Sequence, residues 1–384
     1  MKFIAKTLFG LEKVLAEELL ELGAADVSQA NRAVMFTGNK ELLYRVNYCS
    51  RCALSVLVLV SDFRIKSKDD LYTNVRRIDW SSIMETDQTF SVVPVVNSEL
   101  FGHTGFPGLV VKDAVADYFR MKTGKRPSVS GSDPDVQINV HISHENVTIS
   151  IDSSVIPLFK RGYRTEQGEA PLNEVLAAGI LKISGWDATC SLTDPMCGSG
   201  TIPIEAGLIA CNVPPGKFRQ FFGFTRWKDF DDDLFKRIKL ECETQIRKSE
   251  VVISGSDISG ASVLQARANI QKAGLTELIS VGTSDFKDII PIEKNGYLVL
   301  NPPYGQRLKP DDIDILYSMI GTSLKHNFAG YKAWVITSGK EYLKNIGLKP
   351  KSKHTLYNGA LECILVGYEL YEGTRKPHKE LKSS

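Results

Sequence analysis

The spacing of apolar and polar positions divides the chain into two parts, with a change near residues 155–170. In the first part, apolar residues at helical spacing predict an amphipathic helix over residues 11–22, and Gly23 follows as a helix stop. Strands are predicted around that helix at residues 3–5, 33–36 and 54–60. Residues 90–155 are predicted to form a strand, a helix and two further strands, so this part is α+β.

In the second part, from residue 172 onward, helical stretches alternate with short apolar runs. The runs are CSLTD, VVISGSD, LISVGTSD, YLVLN and KAWVITS, which begin at residues 190, 251, 278, 297 and 332. Alternation of this kind is typical of βα repeats, in which a parallel sheet carries helices on both faces. We therefore predict a parallel α/β domain here.

The length and composition of the chain indicate a soluble protein with more than one core. Its 384 residues exceed the size at which a single hydrophobic core usually stops growing. Hydrophobic residues make up 43% and charged residues 24%, and the longest apolar run, residues 53–60, is too short to cross a membrane. The N-terminal region is acidic and lacks the pattern of a signal peptide, so we expect a cytoplasmic protein.

Neither the cysteines nor the net charge indicates a particular partner. The seven cysteines are an odd number and are expected to be reduced thiols. Cys49 and Cys52 form a CxxC pattern without a second pair at zinc-ribbon spacing, so two small half-buried residues are favoured over a metal or redox site. The net charge of +2 neither requires nor excludes a nucleic-acid partner.

The first βα turn of the second part, DPMCGSGTIP, has the composition of a ligand-binding loop. Gly198 and Gly200 allow a tight turn and a close approach of the backbone to a ligand. Either Ser199 or Thr201 is expected to cap the helix that follows. A proline replaces the third glycine of the dinucleotide fingerprint and disfavours a pyrophosphate, whereas Asp194 can accept hydrogen bonds from a cationic amine. The alternative is a tight structural turn.

Two further strands of the second part end in an acidic residue. Asp257 closes VVISGSD, where a carboxylate can hold both hydroxyls of a ribose, and Asp285 closes LISVGTSD, where it can accept an exocyclic amine. Each alone is more often a helix cap. Because the carboxyl ends of parallel strands share one edge of a sheet, these residues predict one crevice for a ribose, an adenine and a cationic amino acid. Together these groups describe S-adenosylmethionine.

The stretch YLVLNPPY ends the fourth strand of this series at the same crevice. Asn301 offers a side-chain carbonyl, and Pro302 and Pro303 fix the backbone so that the carbonyl of Pro302 can point to the same place. Two such acceptors can hold the hydrogens of an aromatic amine, and the ring of Tyr304 can stack on its heterocycle. These four residues are the predicted catalytic loop. The alternative is a proline turn that ends a strand.

The motifs RGYRTEQGEAPLNE, DPMCGSGTIPIEA and NPPYGQRL resemble those of class I S-adenosylmethionine-dependent RNA methyltransferases with an N-terminal THUMP domain. Residues 214–235 and 358–370 are similar to segments of the RlmL-type bacterial enzymes, which methylate the 2-amino group of a guanine in 23S ribosomal RNA. The candidate cofactor residues are Asp194, Cys197, Gly198, Gly200, Asp257 and Asp285.

The resemblance also implies a fold for each region. Residues 161–375 are expected to form a Rossmann-like class I methyltransferase domain with a seven-stranded mixed sheet, in which LECILVGYEL is an antiparallel last strand. Residues 1–55 are expected to form a ferredoxin-like α+β subdomain, and residues 56–160 a THUMP-like RNA-binding domain.

Two groups of basic residues are candidate RNA contacts. Four cations lie within seven residues, without an acid, near the end of a predicted helix: Arg120, Lys122, Lys125 and Arg126. Such a cluster can follow a phosphate backbone, and the alternative is a solvated helix C-terminus. In the insert, Arg226, Trp227 and Lys228 are expected either to flank the substrate or to pack the insert onto the body of the protein.

The residues alone leave the substrate open. Adenine, cytosine and guanine all carry an exocyclic amine, and methyltransferases of DNA adenine or protein glutamine share the NPPY loop. A silent methyltransferase fold in an RNA-binding assembly factor is a further alternative. Arg226 or Arg307 can supply a donor to a guanine carbonyl. The resemblance implies guanine-N2 methylation of large-subunit ribosomal RNA, with transfer RNA as second choice.

Overall fold

The computed structural model describes residues 1–164, 171–291, 293–303 and 310–372. These residues divide into two compact units, and neither is one continuous stretch of chain. The first contains residues 1–162, 174–179 and 212–247. The second contains residues 163–173, 180–211 and the chain from residue 248 onward. The domain boundaries near residues 55 and 160 remain a proposal.

The first unit contains a seven-stranded sheet in the order β2-β3-β1-β4-β7-β6-β5. Its strands are β1 (Lys2–Lys6), β2 (Ala25–Ala30), β3 (Ala33–Thr37), β4 (Ser55–Arg64), β5 (Phe90–Asn97), β6 (Val136–Ser143) and β7 (Asn146–Asp152). Neighbouring strands are antiparallel except for the parallel pair β5 and β6. Because β4 pairs with both β1 and β7, the ferredoxin-like and THUMP-like regions share one sheet.

The helices of the first unit combine an apolar face with local caps. They are α1 (Glu12–Glu21), α2 (Lys40–Cys49), α3 (Lys68–Arg76), α4 (Phe106–Thr123) and, from the insert, α7 (Asp232–Thr244). The predicted first helix is confirmed, and it buries Leu15 and Leu19. Helices α2 and α3 are additional to the predicted elements, although each has an apolar face. Both begin at polar caps, with Asn39 before α2 and a capping box of Ser67 and Asp70 before α3.

The insert at residues 212–247 belongs to the core of the first unit. Phe224 is fully buried and stacks on Tyr44 of α2, with ring centroids 4.4 Å apart. Phe222 and Phe235 extend the same aromatic cluster. The insert therefore completes a hydrophobic core that the first 60 residues alone would leave open.

The three residues 226–228 of the insert also pack onto the first unit. Trp227 contacts both apolar clusters of this unit. The guanidinium of Arg226 forms an ion pair with Asp133 at 2.6 Å, and Lys228 pairs with Glu85 at 2.8 Å. Of the two roles expected for these residues, packing is the one that the structure shows.

The two cysteines of the CxxC pattern lie in different surroundings. Cys52 is fully buried, whereas the Sγ of Cys49 lies 3.1 Å from the Sγ of Cys242 on α7. Among the described residues, no group of three or more histidine, cysteine or acidic side chains is placed to hold a metal ion. Cys49 is thus part of the contact between α2 and α7.

The second unit contains a seven-stranded sheet in the order β10-β9-β8-β11-β12-β14-β13. Its strands are β8 (Leu192–Asp194), β9 (Ile253–Asp257), β10 (Ile279–Thr283), β11 (Gly296–Leu300), β12 (Tyr331–Thr337), β13 (Ser352–Asn358) and β14 (Leu361–Glu369). Strands β8 to β12 are parallel to their neighbours among these five, whereas β14 is antiparallel to β12 and β13. The predicted Rossmann-like α/β fold, with an antiparallel strand at LECILVGYEL, is confirmed.

Helices alternate with the strands of the second part of the chain. They are α5 (Glu174–Ser184), α6 (Thr201–Ala210), α8 (Gly260–Lys272) and α9 (Pro310–Asn327). Strand β11 is buried along its whole length, and Leu298 packs with Tyr317 of α9 and Val335 of β12. Continuous burial is typical of a parallel strand covered on both faces. No helix in the described ranges is long and apolar enough to cross a membrane.

We predict that Phe224→Ala lowers the free energy of unfolding of the first unit by about 3 to 5 kcal/mol, because it removes a buried ring and leaves a cavity. Leu240→Ala is the matched control, since Leu240 lies on α7 of the same insert but is 67% exposed. A change of about 0.5 kcal/mol or less is expected there. Denaturant titrations measure both variants, and equal stabilities would contradict the place of the insert in this core.

Candidate active site

A cavity of about 520 Å³ lies at the carboxyl edge of the sheet in the second unit. The ends of β8, β9, β10 and β11, which are neighbours in the sheet, line it together with the loop after β8. The predicted site residues in its wall are Asp194, Cys197, Gly198, Asp257, Asp285, Asn301, Pro302 and Pro303. Tyr304 and Arg307 lie outside the described residues. The structure therefore brings the predicted cofactor loop and the described part of the catalytic loop to one place.

The GSG loop requires its two glycines. Gly198 has a φ of 52° and Gly200 a φ of 81°, both in the left-handed region that glycine adopts without strain. A Cβ on Gly200 would also lie 3.1 Å from the Cβ of Ala266 on α8. A Cβ on Gly198 would meet no atom within 4 Å, so this glycine is needed for its backbone conformation.

The expected side-chain cap of α6 is not formed. Gly200 occupies the N-cap position, and neither Ser199 nor Thr201 caps the helix. Both hydroxyls instead accept hydrogen bonds from the guanidinium of Arg164, at 3.1 Å and 3.0 Å. The sequence prediction of a cap was wrong because Gly200 is the N-cap residue, so Ser199 precedes the cap position and Thr201 is already in the first helical turn.

Asp194 is buried at the centre of the site. Its Oδ1 accepts a hydrogen bond from the backbone N–H of Met196 at 3.2 Å. Burial, and to a lesser extent the nearby charge of Asp257, raises the pKa of Asp194 to about 8. Burial also raises the pKa of the Cys197 thiol, with Asp194 and Asp257 adding to the effect. A cationic ligand group would favour the ionised form of this carboxyl.

Asp257 holds the backbone of the site as well as lining the cavity. Its Oδ2 accepts from the N–H of Gly198, and its Oδ1 from the N–H of Ser259, both at 2.9 Å. Each carboxylate oxygen can accept a further hydrogen bond, so the predicted ribose contact remains compatible with this arrangement.

Asp285 lies in the cavity wall and has the role of a cap, which was the alternative considered for it. It lines the cavity, and its side chain caps a short 3₁₀ turn by accepting from the N–H of Lys287 at 3.3 Å. The ammonium of Lys287 also pairs with it at 3.1 Å. Its role as an acceptor for adenine stays a prediction.

Asn301 follows the end of β11 and leaves an acceptor unused. Its Oδ1 is buried and has no hydrogen-bond partner among the described residues. A buried carbonyl without a donor costs about 1 to 3 kcal/mol, so such atoms are rare in proteins and suggest a missing partner. An amine hydrogen of a substrate would satisfy it.

The apolar part of the cavity wall has only weak signals in the sequence. It includes Pro171, Leu172, Ile258, Phe286, Leu316 and Met319. Ile258 and Phe286 each follow an acidic strand end directly, and Ile258 is 75% exposed. Their place directly after an acidic strand end is the signal that could have identified Ile258 and Phe286 from the sequence. Leu316 and Met319 project from α9, whose residues carry no local mark of a site.

The candidate RNA contacts at the end of α4 fall into two pairs. The four residues are Arg120, Lys122, Lys125 and Arg126. Lys122 pairs with Asp79 at 3.4 Å, and Arg126 pairs with Asp117 at 2.6 Å. The other two are exposed and form no ion pair within the described part of the chain. Their contact with RNA stays a prediction.

A mixed seven-stranded sheet, with acidic strand ends and an Asn-Pro-Pro turn at its carboxyl edge, defines a class I methyltransferase. The chain belongs to the family described as RMKL-like, methyltransferase domain, whose model matches residues 161–366. Residues 2–57 match an RlmL ferredoxin-like domain, and residues 66–152 match a THUMP domain. The resemblance seen in the sequence motifs is thereby confirmed.

Similar proteins cover nearly the whole chain. A putative RNA methyltransferase, slr0064, from Synechocystis is 37% identical over 96% of this chain and 97% of its own length. The ribosomal RNA large subunit methyltransferase K/L of Psychromonas ingrahamii is also 37% identical over 96% of this chain, which spans only 50% of that relative. The crystal structure of SMU.472, a putative methyltransferase complexed with SAH, is 29% identical with a TM-score of 0.89, over 97% of this chain and 99% of that one.

S-adenosylmethionine is the cofactor of this methyltransferase class, and the described residues fit it. Gly198 has no side chain, and no atom lies within 4 Å of the place where its Cβ would be, so the backbone of this loop is open to a ligand. The buried carboxyl of Asp194 suits a cationic group. Asp257 and Asp285 provide acceptors suited to hydroxyl and amine donors.

The raised pKa of Asp194 predicts that cofactor binding releases a proton. Because this pKa lies above 7, the carboxyl is mainly protonated in the free protein at pH 7, and a bound ammonium group favours its ionisation. Calorimetry with S-adenosylhomocysteine in two buffers of different ionisation enthalpy should therefore show release approaching one proton at pH 7. The release should fade at pH 9, where the carboxyl is already ionised. A binding heat independent of the buffer at pH 7 would contradict this.

Proposed function

We propose that the chain transfers a methyl group from S-adenosylmethionine to the exocyclic N2 amine of a guanine in 23S ribosomal RNA. The observation that carries the proposal is the buried Oδ1 of Asn301, which has no hydrogen-bond partner among the described residues. It lies in the wall of the cavity, at the edge of the sheet shared with three aspartates. The names of the K/L relative and the putative RNA methyltransferase support RNA as the substrate.

The chemistry requires a weak nucleophile to be held in place. An amine on an aromatic ring is a poor nucleophile because its lone pair is conjugated with the ring. In the proposed mechanism, the Oδ1 of Asn301 and the backbone carbonyl of Pro302 accept hydrogen bonds from this amine and favour a pyramidal nitrogen. When bound, S-adenosylmethionine supplies an activated methyl group on a sulfonium sulfur. The rate then comes from positioning and preorganised dipoles, and the amine proton leaves to solvent.

The choice of guanine depends on groups beyond the Asn-Pro-Pro turn. A guanine needs a donor for its carbonyl oxygen as well as acceptors for its amine. Of the two candidate donors, Arg226 already makes a bidentate contact with Asp133, at 2.6 Å and 3.1 Å, and donates to the carbonyl of Pro134. This favours Arg307 as the donor in our proposal.

The affinity for RNA is assigned to the first unit. The region that matches a THUMP domain, residues 66–152, lies in this unit. So do the exposed cations Arg120 and Lys125, which can contact phosphate groups. We also infer the domain limits near residues 55 and 160 and a cytoplasmic location.

We predict that Asn301→Ala abolishes methyl transfer while the affinity for S-adenosylhomocysteine changes less than about threefold, because the lost carbonyl acts on the substrate amine. Asn295→Ala is the control, since Asn295 is exposed at the other end of β11. Single-turnover assays and calorimetry separate the two effects. Wild-type turnover in Asn301→Ala would remove the basis of the proposed mechanism.

We expect the protein to label N2-methylguanosine when it is incubated with methyl-labelled S-adenosylmethionine and protein-free 23S ribosomal RNA. The products are digested to nucleosides and separated, and transfer RNA and duplex DNA serve as parallel substrates. Label in methyladenosine would overturn the base assignment, and label confined to transfer RNA would favour the alternative substrate. Cofactor binding without any transfer would favour a non-catalytic assembly factor.

A further inference from the structure

We propose that Arg164 is a positioning residue for the methyl donor, an inference that rests on the cofactor assignment. Its guanidinium lies behind the cavity and donates hydrogen bonds to three described residues of the cavity wall. The acceptors are the Oγ of Ser199 at 3.1 Å, the Oγ1 of Thr201 at 3.0 Å and the backbone carbonyl of Leu172 at 2.9 Å. All three acceptor residues line the cavity, whereas Arg164 does not.

These contacts join two parts of the wall that are distant in the sequence. Leu172 precedes α5, whereas Ser199 and Thr201 belong to the GSG loop and the first turn of α6. Neither hydroxyl caps α6, because Gly200 is the N-cap residue. One guanidinium binds both hydroxyls and the carbonyl of Leu172, so it fixes the distance between Leu172 and the GSG loop.

The segment that contains Tyr163 and Arg164 is itself bound to two helices. The backbone carbonyl of Arg164 accepts a hydrogen bond from the ammonium of Lys272 at the end of α8, at 3.1 Å. The neighbouring Tyr163 is fully buried, and its hydroxyl donates to Glu205 of α6 at 3.2 Å. Thr201 and Glu205 lie four residues apart on the same face of α6. Tyr163 binds Glu205 and Arg164 binds Thr201, so these two consecutive residues contact one face of the helix.

A further contact holds the same loop from the other side. Asn269 of α8 is fully buried, and its Nδ2 donates to the backbone carbonyl of Ser199 at 2.9 Å. Ser199 is therefore held at its carbonyl by Asn269 and at its hydroxyl by Arg164. The position of Ser199 depends on both donors, and Arg164 also links it to Leu172.

The geometry suits arginine rather than lysine. A guanidinium offers five donors in a planar fork, so it can reach three acceptors at once, whereas an ammonium on a flexible stem is a point charge. Loss of the guanidinium would leave the carbonyl of Leu172 and two hydroxyls without this donor and would release the loop. The reacting amine at Asn301 would be unaffected, so the effect should appear in cofactor affinity.

The test compares Arg164→Ala, Arg164→Lys and Tyr163→Phe. We expect Arg164→Ala to weaken S-adenosylhomocysteine binding and raise the KM for the methyl donor by about tenfold or more, with a kcat within about threefold of wild type. Arg164→Lys should recover part of the affinity. Tyr163→Phe removes a hydrogen bond from the same segment to Glu205 of α6, which is not part of the cavity wall, so its affinity should match wild type.

Calorimetry on folded protein, with the melting temperature of each ligand-free variant as a second readout, decides the outcome. An affinity within twofold of wild type in Arg164→Ala would overturn the positioning role and leave the cofactor assignment intact. Equal losses of affinity in Arg164→Ala and Tyr163→Phe would show a merely structural effect and also overturn it. If Arg164→Ala does not fold, the same criteria apply to Arg164→Lys. Failure of the wild-type chain to bind would overturn both inferences.

Discussion

Parallel strands end at one edge of their sheet, and the candidate site depends on this constraint. It brings together Asp194, Asp257, Asp285 and Asn301, which are spread over more than a hundred residues of the sequence. The same constraint creates an electrostatic cost, because carboxyls are brought together and partly buried. The fold limits that cost with backbone donors, such as the N–H of Gly198 to Asp257, and by leaving Asp194 mainly protonated at neutral pH.

Features that depend on neighbouring residues could be predicted from the sequence. Each strand of the second unit is a short apolar run followed by a polar residue, so both the strand and the residue at its end are local signals. The left-handed glycines of the GSG loop are likewise determined by the turn itself. Helices α2 and α3 were not predicted, although each carries local signals in the form of an apolar face and a polar cap.

Contacts between distant segments could not be predicted in this way. The basic cluster at the end of α4 contains no acid between its first and last residue, but Asp79 reaches Lys122 from 43 residues away. Arg226 meets Asp133 across 93 residues, and Arg164 meets Thr201 across 37. Side-chain type shows that such a group needs a partner, whereas only the fold determines which one it finds.

The place of the insert has a consequence for how the chain folds during synthesis. The core around Tyr44 is completed by Phe224 and Phe235, so the first unit cannot close when its own first 160 residues have emerged from the ribosome. At about 5 to 20 residues per second, the missing aromatic residues follow several seconds later. Until then the nascent first unit exposes an apolar surface that a chaperone would bind, and β8 and α6 are already made.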